Sequence, residues 1–519
     1  MDYLIHHFLK TSAEKYPKKE ALIFGDERLT FSATYERVLK VAYCLRRAGL
    51  QKGDRVGIYL EPSIDQVISI FAIFAAGGVF VPINSTLMRD QVNHIIGDSQ
   101  MMGLITTRER YAHLLGSEEP LYSIRTIVFD KKGNEQDSQK ASFFLSSSYA
   151  GDTPDTWDDW GIGLDLAGLL YTSGSTGKPK GVMLSHSQIM AGSTIVSKYL
   201  ELTENDKILA ILPFNFDAGL NQLITAFEQG ATLVVMSFVF AKDIVKMLEK
   251  EKITGLAGVP TLWNLLAQDK SGLAKVSLPA FRYLTNTGGV MPQAVLQMLR
   301  KTLPNTKIFL MYGLTEAFRS TYLPPEELDR HPSSMGKAIP NTEIFVVNNE
   351  GKLCEPGEVG ELVHRGPTVS MGYWGKPELT DKVLRPNPFT PLEGGSVDKV
   401  CYSGDLVKRD DEGYFYFVGR RDAMIKTSGY RVSRTEIEEI FYQQGQVKEV
   451  AVIGIPDEIL GQSIKAVLVV KEGDSITIPS LLSYCAQHLP RYMVPKFIQI
   501  VDSLPKTPNG KIDYPALEK

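Results

Sequence analysis

Tyr171-Thr-Ser-Gly-Ser-Thr-Gly-Lys-Pro-Lys-Gly181 is the stretch on which the reading of this chain turns. It follows the apolar run Asp165–Leu170, which reads as a strand, and a helix is expected after Ser185. Glycines let a backbone approach an anion closely, and hydroxyls and lysines donate to phosphate oxygens. A P-loop needs G-x-x-x-x-G-K-[ST]. Here Thr172 stands in place of the first glycine and Pro179 in place of the metal-binding hydroxyl, so the P-loop reading fails. A flexible Gly/Ser surface loop is the plain alternative. Two lysines, with a strand before and a helix after, favour phosphate.

Outward from this loop, short apolar runs alternate with helical spacing. Arg55–Leu60 precedes Ser63–Ala76, Lys207–Leu212 precedes Gly219–Gln229, and Ala231–Val235 precedes Lys242–Glu251. Lys307–Met311 follows a helix near Ala294–Lys301. Repeated βαβ units imply largely parallel sheets covered by helices. After about Pro340 the strands Glu343–Val347, Glu358–His364 and Tyr414–Val418 are joined by turns, which predicts a distorted antiparallel barrel. Beyond Gly419 a small α+β unit is expected, with a capping box from Ser433 to Glu436. The fold class is α/β. A large N-terminal domain, residues 1–420, and a small C-terminal domain, residues 421–519, are expected.

At 519 residues the chain exceeds one hydrophobic core. A formal charge of -4 gives no basic surface for nucleic acid or anionic lipid. Cys44, Cys354, Cys401 and Cys485 lie far apart, without zinc or disulfide spacing, as in a reducing cytoplasm. The uncharged run Val67–Ile83 contains Gly77, Gly78 and Pro82 and falls short of the roughly 18 to 20 apolar residues of a membrane span. A soluble cytoplasmic protein with no membrane partner is expected.

Six further motifs occur in order around the loop. They are Ala75-Ala-Gly-Gly-Val-Phe-Val-Pro-Ile83, Tyr312-Gly-Leu-Thr-Glu316, Gly360-Glu-Leu through Gly372-Tyr373, Tyr402-Ser-Gly-Asp405, Gly419-Arg-Arg-Asp422 through Gly429-Tyr-Arg431, and Pro508-Asn-Gly-Lys511. Together with Thr172–Gly181 they resemble the adenylate-forming superfamily of acyl-CoA synthetases, peptide-synthetase adenylation domains and luciferases. The resemblance covers essentially the whole chain.

It implies ATP and Mg²⁺ as cofactors. Thr172, Ser173, Gly174, Ser175, Thr176, Gly177 and Lys180 would hold the β- and γ-phosphates. Thr315 and Glu316 would position phosphate and metal, Glu316 as metal ligand. Tyr312 would stack on adenine, Asp405 would accept the ribose hydroxyls, and Arg420 would contact ATP or AMP near the hinge. Lys511 would bridge the attacking carboxylate and the α-phosphate. Asp422 would be the pivot, and the Gly429 loop would guide a phosphopantetheine thiol. Taken alone, Glu316 is an ordinary helix-start carboxylate, Asp405 a turn aspartate and Lys511 a solvated lysine.

Leu212-Pro-Phe-Asn-Phe-Asp-Ala-Gly219 lacks the aromatic or histidine gate of many acyl-CoA synthetases. Its Asp217 resembles the aspartate that pairs with an α-ammonium in the amino-acid-activating branch. The alternative is a helix N-cap for the segment beginning near Gly219. Aligned pocket positions are Ala218, Asn221, Ala257, Thr285, Thr287, Gly288, Met311, Arg319 and Ser320, mostly small or polar, implying a small substrate. Arg319 has three readings: it reads a second carboxylate, pairs with Asp217 or Glu316, or faces solvent. The Glu316–Pro325 region is similar both to stand-alone prolyl–carrier-protein ligases and to exosortase-associated ligases.

Lys511 stands eight residues from Lys519, with no carrier domain after it, so a thiol in trans is expected. The leading expectation is activation of a small amino acid, with proline among the candidates, for a free carrier protein in natural-product biosynthesis. The alternative is a coenzyme A ligase for an acid without an amine. A nucleotide-binding regulator with a dead site is disfavoured, because Lys180, Thr315, Glu316, Asp405 and Lys511 are all present.

Overall fold

A computed structural model describes residues 1–114, 124–129, 141–148, 157–172, 178–291, 293–389, 398–420, 425–432, 434–471, 476–505 and 514–518. Among these, two large sheets carry the N-terminal body. One runs, in spatial order, Ala141–Phe144, Thr126–Phe129, Gly103–Thr106, Arg55–Tyr59, Val79–Pro82, Leu166–Thr172 and Lys180–Ser185. The other has nine strands, centred on Tyr283–Asn286, Gly255–Gly258, Lys207–Ala210 and Thr232–Val235. Their central strands are parallel. A parallel strand needs a crossover, and helices supply it.

One helix shows the local logic. Ser63 accepts from the Gln66 N–H at 3.2 Å and starts Ile64–Ala76. Gly77, at φ 82°, ends it in the left-handed region that glycine enters without strain. Its side chains are almost all buried and pack with Asp217–Gln229, Phe71 lying 5.0 Å from Phe227 between ring centroids. The same core includes Val56 and Ile58 from the first sheet and Ile208 and Leu233 from the second. The two sheets therefore share one layer of helices.

The later strands form two smaller sheets. Glu343–Val347, Val359–Arg365, Lys399–Arg409, Leu384–Pro386 and Phe415–Arg420 pair antiparallel, as expected. Ile425–Thr427, Tyr430–Val432, Val447–Asp457, Gly461–Val470 and Phe497–Ile500 make the last, covered by Arg434–Gln443 and Ile478–His488. The fold is thus a mixed α/β body with a small C-terminal domain. The expected boundary at 420/421, the pivot Asp422 and the cap Ser433 fall at or in stretches outside the described residues. All four cysteines are free, and no helix among the described residues is long and apolar enough to cross a membrane.

The helix expected after Ser185 is present as His186–Tyr199, and a strand not read in the sequence precedes it. This strand, Lys180–Ser185, runs antiparallel to Leu166–Thr172. Val182 and Leu184 are buried and need a sheet position, and Thr172 pairs opposite Lys180 in the two strands. A helix N-terminus does not immediately follow the loop. Of the two readings of Asp217, the N-cap alternative is excluded: Phe216 holds that position, and the helix starts at Asp217.

Gly219 makes this start possible. A Cβ there would lie 2.2 Å from the Pro213 carbonyl oxygen and 2.6 Å from that of Leu212. Gly219→Ala is expected to destabilise the chain by about 1 to 3 kcal/mol, read as a lower denaturant midpoint with an unchanged slope.

Candidate active site

The parallel strands of both large sheets end at one cleft of about 420 Å³. Pro82, Thr172, Phe216, Thr287 and Gly313 lie at or just beyond those ends and line it. Open α/β sheets bind ligands at this edge. The C-terminal domain closes the cleft with Gly429, Tyr430, Glu436, Tyr492 and Met493. Gln91 donates to Glu436 across this boundary at 2.8 Å.

The structure brings Thr172, Lys180, Thr315 and Glu316 to this cleft. The Thr172 hydroxyl is buried with no hydrogen-bond partner among the described residues. The Lys180 ammonium lies 4.0 Å from the centroid of the Tyr373 ring. Tyr373 in turn donates to Glu316 Oε1 at 2.6 Å. Hydroxyl, carboxylate and ammonium are the donor set that triphosphate and a hard cation require. Tyr373 is the site residue whose role sequence reasoning missed. It lay within a quoted motif, but nothing in the pattern paired it with Glu316.

Asp405 is fully buried, and Tyr312 donates to its Oδ2 at 2.6 Å. Gly404, at φ 72° within the strand Lys399–Arg409, donates its N–H to Glu361 Oε1 at 2.9 Å. Arg420 is the register partner of Asp405 across the two strands, though its side chain is outside the described residues. Ser173, Gly174, Ser175, Thr176, Gly177 and Lys511 also lie outside them.

Gly429 sits at φ 80° in the turn between Ile425–Thr427 and Tyr430–Val432. A Cβ there would lie 2.9 Å from Val259. Its carbonyl oxygen lies 3.6 Å from where a Cβ on Gly288 would stand, so the turn is seated in the cleft wall.

Behind the cleft lies a small cavity of about 20 Å³. Ala218, Asn221, Thr287, Met311 and Arg319 line it, as do Ala257 and Thr285. Ser320 is engaged elsewhere, with Oγ 2.9 Å from His364 Nδ1. Arg319 is buried, and its Nη1 lies 3.8 Å from Asp217 Oδ2. Of its three readings, the structure excludes solvent. Asp217 Oδ1 meanwhile accepts from the Ala218 N–H at 2.7 Å.

Arg319 has φ 76°, rare for a side chain of this size. A network holds it there. Thr368 Oγ1 lies 3.3 Å from the Arg319 carbonyl oxygen and 3.1 Å from His364 Nε2. Burial pushes His364 down to about 3, so it stays neutral. With Thr368 donating to Arg319, His364 Nε2–H donates to Thr368, and Nδ1 accepts from Ser320.

A second cluster, His6, His7 and Asp159, could suggest a metal. His7 Nδ1 accepts from the Tyr3 N–H at 3.4 Å, so its Nε2 carries the proton. Both Nε2 atoms contact the Asp159 carboxylate, at 2.8 and 2.9 Å. This arrangement clasps two segments together.

A family model described as AMP-binding enzyme matches residues 9–374, and one for the AMP-binding enzyme C-terminal domain matches 436–511. The chain belongs to the AMP-binding enzyme family. It is 30% identical to tyrocidine synthase 1 of Brevibacillus parabrevis over 99% of its length, but spans only 44% of that relative. It is 28% identical to the long-chain-fatty-acid–CoA ligase of Salmonella typhimurium, covering 96% of this chain and 91% of that one. ATP-bound MatB from Rhodopseudomonas palustris has the same fold, with a TM-score of 0.70 at 25% identity over 99% of this chain and 98% of that one. The chain is therefore a ligase of the adenylate-forming type, and ATP and Mg²⁺ are its cofactors.

The Asp217–Arg319 pair makes a thermodynamic prediction. Asp217→Ala strands a buried guanidinium and should cost about 3 kcal/mol. The double variant Asp217→Ala/Arg319→Met should recover much of that loss, measured by chemical denaturation.

Proposed function

We propose that this enzyme activates a small amino acid as its aminoacyl-adenylate and then transfers it to the phosphopantetheine thiol of a separate carrier protein. The observation that carries the reading is Asp217, a buried carboxylate that lines the cleft beside Thr287 and Gly288. An ammonium leaving water needs such a partner. The similarity to tyrocidine synthase 1 supports this branch.

In the first half-reaction the substrate carboxylate oxygen bonds to the α-phosphorus, and the bond to pyrophosphate breaks. Thr172, Lys180 and Thr315 hold the departing phosphates. Glu316 would hold Mg²⁺, which when bound would supply charge neutralisation to the triphosphate. Tyr373 orients Glu316 by its hydrogen bond. Asp405 accepts the ribose hydroxyls, with one oxygen fixed by Tyr312. Lys511 would bridge the two anions, where cancelling charge matters most.

In the second half-reaction the small domain, residues 421–519, has turned about Asp422. Gly429 then lines the thiol's path, and its seat against Val259 and Gly288 supports that assignment. The sulfur bonds to the acyl carbon, and AMP leaves.

One observation favours a second reading. Asp217 already has a countercharge in Arg319 and does not require an ammonium. On that reading the enzyme is a coenzyme A ligase for an acid without an amine, in line with its similarity to the Salmonella ligase.

Pyrophosphate exchange with Mg·ATP and a panel of amino, fatty and aryl acids separates the two. Exchange with a small amino acid, abolished by Asp217→Ala, is expected. Exchange confined to acids lacking an amine would transfer the assignment to the coenzyme A ligase.

The two half-reactions should also separate by mutation. Lys511→Ala should lower exchange about 100- to 1000-fold. Gly429→Val should retain exchange and lose thioester formation. Near-normal exchange in the lysine variant would reject its role.

A further inference from the structure

We propose that the acid is a short amino acid bearing a second carboxylate, of the aspartate class, and that Arg319 determines this specificity. The inference rests on the reading that Asp217 takes the substrate's ammonium group.

Arg319 is 3% exposed and lines the small cavity behind the cleft. Its Nε and Nη1 have no hydrogen-bond partner among the described residues. Arginine only donates, so these atoms call for an acceptor. Asp217 Oδ2, at 3.8 Å, is beyond hydrogen-bond length from Nη1. In the same cavity Gln222 presents Oε1 without a partner. The cavity therefore offers donors at Arg319 and an acceptor at Gln222, while Asp217 lines the adjoining cleft, with Thr287 on the wall of both. A guest with a carboxylate toward the cavity and an ammonium in the cleft is their complement.

Charge balance narrows the choice further. Asp217 and Arg319 together are neutral. A substrate ammonium that claims Asp217 deprives Arg319 of its countercharge. Alanine or proline would fit by size but leave the guanidinium buried without an acceptor. A dicarboxylic acid without an amine would satisfy Arg319 but set a second negative charge near Asp217. An uncharged acyl chain keeps the balance and still gives Arg319 nothing to bond. An amino acid with a second carboxylate satisfies both residues.

Size sets the length. A cavity of about 20 Å³ has room for little more than a water-sized group. A side chain of one methylene plus a carboxylate, its carbons partly in the cleft, matches better than a longer one. One ordered water could also fill this space, and the test distinguishes that case.

The test is pyrophosphate exchange by the wild-type full chain with Mg·ATP and aspartate, asparagine, alanine, proline or succinate. Aspartate should exceed alanine, proline and succinate by about 100-fold or more in kcat/KM, because a site built for a polar group rejects analogues lacking it. Arg319→Met should abolish that preference, and Arg319→Lys should restore part of it. The wild-type panel decides the matter even if a variant fails to fold. Alanine or proline used as well as aspartate would overturn the role of Arg319 and leave Asp217 as the ammonium site, with water in the cavity. Exchange only with succinate or other acids lacking an amine would bring down the ammonium reading itself, and this inference with it.

Discussion

Two largely parallel sheets have four apolar faces to hide, and this chain covers the inner two with shared helices. Ile64–Ala76 and Asp217–Gln229 pack on each other and contribute to one core with strands of both sheets. That shared layer ties the sheets together along a common wall. Ligand sites in parallel sheets form beyond the C-terminal ends of the strands. Joining two sheets through one helix layer brings two such edges to one groove. Thr172 arrives from one sheet, Thr287 and Gly313 from the other. A chemistry that must place nucleotide and acid together gains its geometry from that packing.

The groove carries both signs: Asp217, Glu316, Glu361 and Glu436 line it beside Lys180, Lys382 and Arg385. Burial raises the Cys401 thiol well above its ordinary range, and Glu316, Glu361 and Asp405 add to the effect. A triphosphate set beside those carboxylates needs cations with it, and Lys180 lines the same cleft. On the proposed function the carboxylates would hold a metal and neutral hydroxyls, and charge cancellation on the phosphates would fall to the metal and to lysine.

Much of the fold was legible because buried strands and their stops are local signals. Ser63 and Gly77 punctuate a helix whose apolar run could have been mistaken for part of a membrane span. The strand Lys180–Ser185 was missed because a six-residue segment with four buried positions and no strict alternation resembles the lead into the next helix. Asp217 was half-read: its acidic type and place were visible, but capping depends on backbone angles that composition does not report. The pairs Tyr373–Glu316 and Tyr312–Asp405 join residues far apart in sequence, and only the fold brings them together. For Arg319 the residue was conspicuous but its direction was not. The register shift between Tyr312 and Leu314 leaves Gly313 against the Arg319 backbone, where a Cβ would lie 2.9 Å from its nitrogen.

That direction has an energetic cost. A left-handed conformation at a large side chain costs about 1 kcal/mol or more. A buried ion pair at 3.8 Å recovers only part of the desolvation of its two charges, and apolar residues of the same volume would be at least as stable. Neither cost serves the core, since the Ile64–Ala76 layer closes without Arg319. The hydrogen bonds from His364 through Thr368 hold the strained carbonyl in place. A strained backbone, a loosely paired charge and open donors thus coincide at one residue on a cavity wall. Stability alone would remove each of them, whereas a ligand that supplies an acceptor accounts for all three.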